Sequence, residues 1–285
     1  MRQIEAEAWE DVLDMTIPQA HVWAAENFDP AKVPSEVTLT EPYLMGSHAS
    51  GTGAWVSGPE DVAPEEYFWG YNRMTTIRGL FAAGDGVSGS AHKFSSGSHT
   101  QGRRAAKAAV AYVHDSPDLS NIDPEPMAAI RSEIWRPVAQ FEKAAGASTR
   151  SDVNPNYLLP KDALLRLQKI MDEYGAGRGA QYLTNEPTLT RGLALLDSMR
   201  VDLDKMARDL HELLRCWEVR DRFWCAEAHL RHLRFRKETR WPGYYYRADY
   251  PRLDDQNWRC FVNSRYDAAK DEWLLTKRPC IPLMK

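Results

Sequence analysis

Between residues 196 and 217, Leu196, Met199, Leu203, Met206, Leu210, Leu213 and Trp217 recur at alternating steps of three and four. On a helix that spacing puts all seven side chains on one face, and a face so apolar has to be buried against other helices. The stripe is read as the core of a helix bundle rather than as a free coiled coil or a cofactor-lining face. Helical text surrounds it, from about Met127 to about Arg240. The fold expected is therefore α+β, mainly α.

Upstream the text changes character. Residues 2–27 read as helical, with Ala, Glu and Trp at mixed spacing. From 34 to 89 the chain is turn-rich and β-like. In EVTLTEPYLMGSHASGTGAWVSG, Val37, Leu39 and Tyr43 alternate in part between Pro and Gly, and GLFAA is a short apolar run suited to a buried strand. Residues 98–113 read as an Ala-rich helix with Arg and Lys on one side. The polar, proline-bearing stretch HDSPDLSNIDPEP follows and marks a domain boundary. The tail RWPGYYYRADYPRLDDQNW returns to aromatic, loop-like text.

A length of 285 residues suggests about two domains. Lys+Arg 36 against Asp+Glu 40 gives a net charge of -4, which argues against a polyanion-binding chain. The basic run HLRHLRFRKETR (229–240) is accordingly read as an ion-paired or solvated helix face, not a nucleic-acid surface. There is no apolar run of about eighteen residues, so no membrane span is expected. The start is acidic and lacks the apolar segment of a signal peptide, so a cytoplasmic location is expected. Cys216, Cys225, Cys260 and Cys280 form no C-x-x-C pair. They are read as reduced cysteines, with no zinc or iron–sulfur site held by this chain.

The stretch GLFAAGDGVSGSAHKFSSGSHTQGRRAAKAAV (79–110) contains a match to G-x-G-x-x-G at Gly84, Gly86 and Gly89. A dinucleotide fingerprint needs a helix starting at its third glycine, and SAHKFSSGS has no helical period, so that reading is set aside. The helix begins later, where Ser95, Ser96 and Ser98 offer N-caps. A helix N-terminus behind small residues suits a phosphate or the negative end of a reduced flavin.

GLFAAGD, HKFSSGS and GRRAAKAAV together resemble the second flavin-contacting segment of the fumarate reductase/succinate dehydrogenase flavoprotein superfamily. EPYLMGSHASGTGAWVSGPED and HKFSSGS are most similar to the alpha subunits of dissimilatory adenylylsulfate (APS) reductases. RKETRWPGYYYRADYPRLDDQNW resembles the superfamily's C-terminal Glu-x-Arg…Arg-x-Asp-x-Pro…Asp-Asp signature. The resemblance covers the whole chain but only the C-terminal portion of a family member. It implies three parts: the end of a capping-domain segment (1–44), the C-terminal part of an FAD-binding α/β domain (45–116), and a helical, bundle-like domain with a loop-rich tail (117–285).

The resemblance also implies roles for particular residues. Asp85, following Gly84, takes the place of the acidic residue that hydrogen-bonds the ribityl chain of FAD; a plain turn Asp is the alternative. Ser95, Ser96, Gly97 and Ser98 bring backbone N–H groups and the helix dipole toward the flavin, where they stabilise negative charge on reduction; plain N-capping is compatible with this. His48 in GSHASG stands where the superfamily places a substrate-binding His, against the alternative of a structural one. Lys93 replaces an Arg that suits a dicarboxylate, which argues against a C4-dicarboxylate substrate and fits a flavin or sulfite neighbour. His92 and His99 flank the same turn. Glu238 and Arg240 fit the Glu-x-Arg pair, whereas Arg247 lies two residues farther on than in succinate dehydrogenases and is read as packing against the flavin domain.

The activity implied is interconversion of adenylylsulfate with AMP and sulfite through a flavin N5–sulfite adduct. FAD is the cofactor, and electrons are exchanged with a ferredoxin-like beta subunit that carries the iron–sulfur clusters. The N-terminal βαβ unit of the family is missing from this sequence, so the chain by itself is expected to be inactive. The alternatives are a succinate/fumarate-type flavoprotein and a non-catalytic helical module that binds a partner.

Overall fold

The computed structural model of the chain describes residues 53–87, 95–116, 124–144, 158–203, 206–240 and 246–281, with positions 25, 27, 29, 32, 148 and 150. Residues 53–87 form a small β-like layer held by isolated bridges. Ala54 pairs with Val87 in parallel, Val56 with Thr75 and Met74 with Phe81 antiparallel. A tight turn closed by Leu80 N–H on the Ile77 carbonyl joins the last pair, and Gly79 within it sits at φ +79. The layer runs into a short 3-10 turn, Gly84–Gly86, that packs on helix α1, Ser95–Asp115. Gln101, Ala105 and Tyr112 on α1 are buried.

Helix α2, Pro124–Lys143, is tied to the later helices through its Pro137 region. Trp217 Nε1 donates to the Ile134 carbonyl at 3.2 Å, and Ala207 N–H donates to the Pro137 carbonyl at 3.0 Å. Helices α3 (Pro160–Tyr174), α4 (Glu186–Arg200) and α5 (Leu210–Phe235) form the main core. Ala163, Leu167 and Ile170 meet Leu189, Leu196 and Met199, and both rows pack on Val219, Phe223, Ala226, Leu230 and Leu233. Each row repeats at three- and four-residue steps, which keeps it on one helix face. Gly192 permits the close approach, because a Cβ there would stand 2.8 Å from Tyr174 Cβ and 3.1 Å from Leu230 Cδ1.

The apolar stripe from Leu196 to Trp217 does not lie on one helix. α4 ends at Arg200, a 3-10 turn spans Val201–Leu203, and α5 starts at Leu210. Leu196 and Met199 enter the main core, Leu213 and Trp217 join a second cluster with Ala207 and Cys216, and Leu210 is 66% exposed. Capping chemistry overrides periodicity here. Asp209 accepts from Glu212 N–H at 2.9 Å, and the Glu212 carboxylate reaches back to Arg208 N–H at 3.0 Å, which starts a new helix.

The tail is more ordered than its aromatic, loop-like text suggests. β1, Leu183–Thr184, pairs in parallel with β2, Tyr246–Arg247. After a one-turn helix, α6 (Asp255–Trp258), strands β3 (Cys260–Asp267) and β4 (Glu272–Pro279) form an antiparallel hairpin. The hairpin lies against α5, where Trp224, Tyr266 and Trp273 cluster with ring centroids 4.9–6.4 Å apart. It also reaches the first layer: Tyr67 O–H donates to the Pro279 carbonyl at 2.7 Å, and Trp55 packs edge-on against Tyr67 and Phe261. The architecture is mainly α with small β additions. Among the described residues no helix is long and apolar enough to cross a membrane.

Candidate functional site

The apolar run GLFAA ends in a turn whose geometry only glycine tolerates well. Ala83 is extended, and Gly84 then swings to φ +66 in the left-handed region. Gly84 is buried, and a Cβ on it would stand 3.3 Å from Ser98 Oγ and 3.5 Å from Ser98 Cβ. So the turn lies directly against the first turn of α1. Three hydrogen bonds fix it. Gly84 N–H donates to Gln101 Oε1 at 2.8 Å, Val87 N–H to the Gly84 carbonyl at 3.2 Å, and Ala54 N–H to the Gly86 carbonyl at 2.8 Å.

The N–H groups of the first turn of α1 lack i−4 carbonyl partners within the helix and carry the positive end of its dipole. No acidic residue occupies that turn. Beneath the turn, the Arg73 carbonyl accepts from Ala82 N–H at 3.1 Å, with Arg73 itself at φ +67. Its Nε is buried without a hydrogen-bond partner. Burial, with Arg104 nearby, pushes the guanidinium below the usual arginine range. The local field is positive, and the donors outnumber their acceptors. Such a site suits an oxygen-rich or anionic ligand group.

Of the residues singled out from the sequence, Gly84, Gly97 and Ser98 come together here. Asp85 forms the middle of the 3-10 turn through its backbone, and Ser95 and Ser96 open α1 through theirs. His99 is exposed on α1. His48, His92 and Lys93 lie outside the described residues. Gln101 and Arg73 were not read from the sequence. Gln101 was legible in principle, as the one long polar side chain three residues beyond Ser98, on the face toward the glycine turn.

The C-terminal signature has a different purpose from the one expected of Arg247. Arg247 is fully buried within the helical region and does not pack on the flavin-type layer. Its Nη1 donates to the carbonyls of Leu233, Arg234 (3.2 Å) and Arg236 (2.9 Å), which closes the C-terminus of α5. Its Nε and Nη2 grip the Asp249 carboxylate at 2.9 and 2.8 Å. Burial raises the Asp249 carboxyl, but the Arg247 bonds and the Glu186 amide outweigh it, leaving it below the usual range. Glu238, also fully buried, accepts from Arg236, Arg240 and Asp254 N–H. The basic run at 229–240 is ion-paired as expected: Arg231 with Glu227, Arg234 with Glu186, Arg236 and Arg240 with Glu238.

At the other end of α1 lies an open cleft of about 420 Å³, lined by Trp69, Tyr71, Arg78, Tyr112 and Asp115 among others. Its polar groups are satisfied by one another: Tyr71 O–H donates to Asp115 at 3.0 Å and Trp69 Nε1 to the Thr75 carbonyl at 3.1 Å. The glycine turn, with its spare donors, is the better ligand site. Among the described residues no three His, Cys, Asp or Glu side chains converge as metal ligands do.

Comparison with known proteins defines the class first: residues 165–282 match the Fumarate reductase flavoprotein C-term family. The chain thus carries the C-terminal region of a fumarate reductase-type flavoprotein. Within that class it is similar to the alpha subunit of adenylylsulfate reductase from Megalodesulfovibrio gigas, with 48% identity over 98% of this chain and 43% of that protein. The adenylylsulfate reductase structure from Archaeoglobus fulgidus superimposes over 100% of this chain and 45% of its own, at TM-score 0.86 and 49% identity. A structure of adenosine-5-phosphosulfate reductase in complex with sulfite, as a covalent adduct, gives TM-score 0.85 and 49% identity over the same share. The chain spans less than half the length of these relatives.

Proposed function

We propose that this chain is the C-terminal part of an adenylylsulfate reductase-type flavoprotein that interconverts adenylylsulfate with AMP and sulfite. The observation that carries the reading is similarity at 49% identity over 100% of this chain to a structure with covalently bound sulfite. FAD, when bound, supplies the two-electron chemistry at sulfur. The residues present fit it: a left-handed glycine that admits no Cβ beside Ser98, unpaired helix N–H groups, and no acidic residue in the first turn of α1.

In this reading the turn Gly84–Gly86 holds the cofactor's polyol side, with Asp85 as its hydrogen-bonding partner. Ser95, Ser96, Gly97 and Ser98 direct the positive end of α1 toward the negative charge that reduction creates. His48 binds substrate, and Lys93 places a compact cation beside it. Residues 45–116 complete the FAD-binding domain begun elsewhere, 1–44 close a capping segment, and 117–285 form the helical domain. A ferredoxin-like iron–sulfur beta subunit exchanges the electrons, and the enzyme works in the cytoplasm.

The test is an assay of the flavoprotein that carries this chain, with AMP and sulfite against succinate as electron donors to an artificial acceptor. AMP- and sulfite-dependent reduction without succinate oxidation is expected. Succinate oxidation would replace this reading with a succinate/fumarate-type one. His48→Ala should lower AMP-dependent turnover while FAD content stays at the wild-type level.

A further inference from the structure

Gln101 is 6% exposed and lies on α1 seventeen residues beyond the glycine whose amide it binds. The Gly84 N–H can only donate, so the Gln101 atom facing it at 2.8 Å is the amide oxygen. The orientation of the side chain is thereby fixed, and Nε2 with its two N–H donors must face away from the turn amide. Among the described residues nothing accepts from Nε2. A buried glutamine with one end engaged and the other unpaired, next to a strained glycine turn and a helix N-terminus, is built to receive a hydrogen-bond acceptor.

We propose that Gln101 is a cofactor-positioning residue: its Oε1 locks the Gly84–Gly86 turn onto α1, and its Nε2 donates to an oxygen of the bound flavin cofactor. The proposal rests on the flavin reading of the turn. Both halves of the amide are used, so the two substitutions that separate them have different consequences. Gln101→Leu removes donor and acceptor at similar volume. Gln101→Glu keeps an acceptor for Gly84 N–H, removes the donor and adds a negative charge. Both residues suit a helix interior, so α1 is retained.

The experiment has two readouts. Backbone hydrogen exchange at Gly84 in the flavin-free protein reports the lock. FAD affinity and flavin midpoint potential in the flavin-loaded protein report the donor. Gln101→Leu is expected to speed Gly84 exchange by about tenfold, the loss of one net hydrogen bond, and to weaken FAD binding. Gln101→Glu is expected to keep Gly84 protected yet weaken FAD binding, with the potential shifted negative because an added anion disfavours reduced flavin. A protein with a merely structural Gln101 would show a normal potential in the Glu variant. Unchanged Gly84 exchange in the Leu variant, or wild-type affinity and potential in the Glu variant, would overturn the proposal. Wild-type protein that takes up no FAD would refute the flavin reading itself, whereas the Gly84 exchange rate would still decide the lock.

Discussion

The helical region from α3 through the hairpin and the glycine turn before α1 deal with buried polar groups in opposite ways. In the helical region each buried carboxylate meets several donors: Glu227 takes Arg200, Arg231 and Trp273 Nε1, and Glu238 takes Arg236, Arg240 and a backbone amide. Arg247 gives donors to three carbonyls and a carboxylate. Around the turn, Arg73 Nε is buried without a partner and Gln101 is half engaged. The lesson is that the first region is a closed scaffold, while the second holds hydrogen-bonding capacity in reserve for a ligand.

Substitutions can break that contrast. Arg247→Met should have the largest effect, lowering stability by about 3–5 kcal/mol because Asp249 and the end of α5 lose their partner together; chemical denaturation measures it. A small loss would mean the signature is not the scaffold's keystone. Gly192→Val forces a side chain into the gap beside Tyr174 and should cost about 1–3 kcal/mol in the same experiment.

Gly84→Ala sharpens the contrast from the other side. The left-handed φ costs an L-residue about 1–2 kcal/mol, and Ser98 must give way. The account expects weaker FAD retention, with the α3–α5 core unfolding at nearly the wild-type denaturant concentration. Equal loss from both regions would show that they are not separate in function.

Glu238→Gln should destabilise in a pH-dependent way. Burial pushes Glu238 up, but its hydrogen bonds with Arg240, Asp254 N–H and Arg236 outweigh this and hold it below the usual carboxylate range. A depressed folded pKa contributes stability above the unfolded pKa, and that contribution is lost as pH falls through the folded value. The gap between wild type and Glu238→Gln should therefore be full at neutral pH and shrink below about pH 4. The smallest effect belongs to Asp202→Asn, which removes an ion pair with the half-exposed Arg166 and should cost no more than about 1 kcal/mol.

Helical periodicity made the bundle legible, and the Ala-rich run after HKFSSGS made α1 legible to within a few residues. The periodicity misled at Asp209, because a side-chain cap restarts the helix without disturbing the spacing of apolar residues. The hairpin of β3 and β4 was missed. Its strands are mixed in polarity, their faces being set by Trp224 and Trp258 rather than by clean alternation. Gly84 and Ser98 were legible because backbone conformation and close contact demand small residues. Gln101 was not, since its significance lies in one hydrogen bond across seventeen residues. Arg247 was legible as part of a signature, but its buried place at the end of α5 depends on long-range folding.

The central claim is that the turn Gly84–Gly86 and the first turn of α1 receive the flavin while α3–α5 serve as scaffold. Hydrogen exchange compared between flavin-loaded and flavin-stripped protein tests it most directly. The account predicts that FAD slows exchange at Gly84–Gly86 and in residues 95–101 and leaves the amides of α3, α4 and α5 unchanged. Unchanged exchange in the turn, with FAD-dependent protection appearing in the helical core instead, would contradict it.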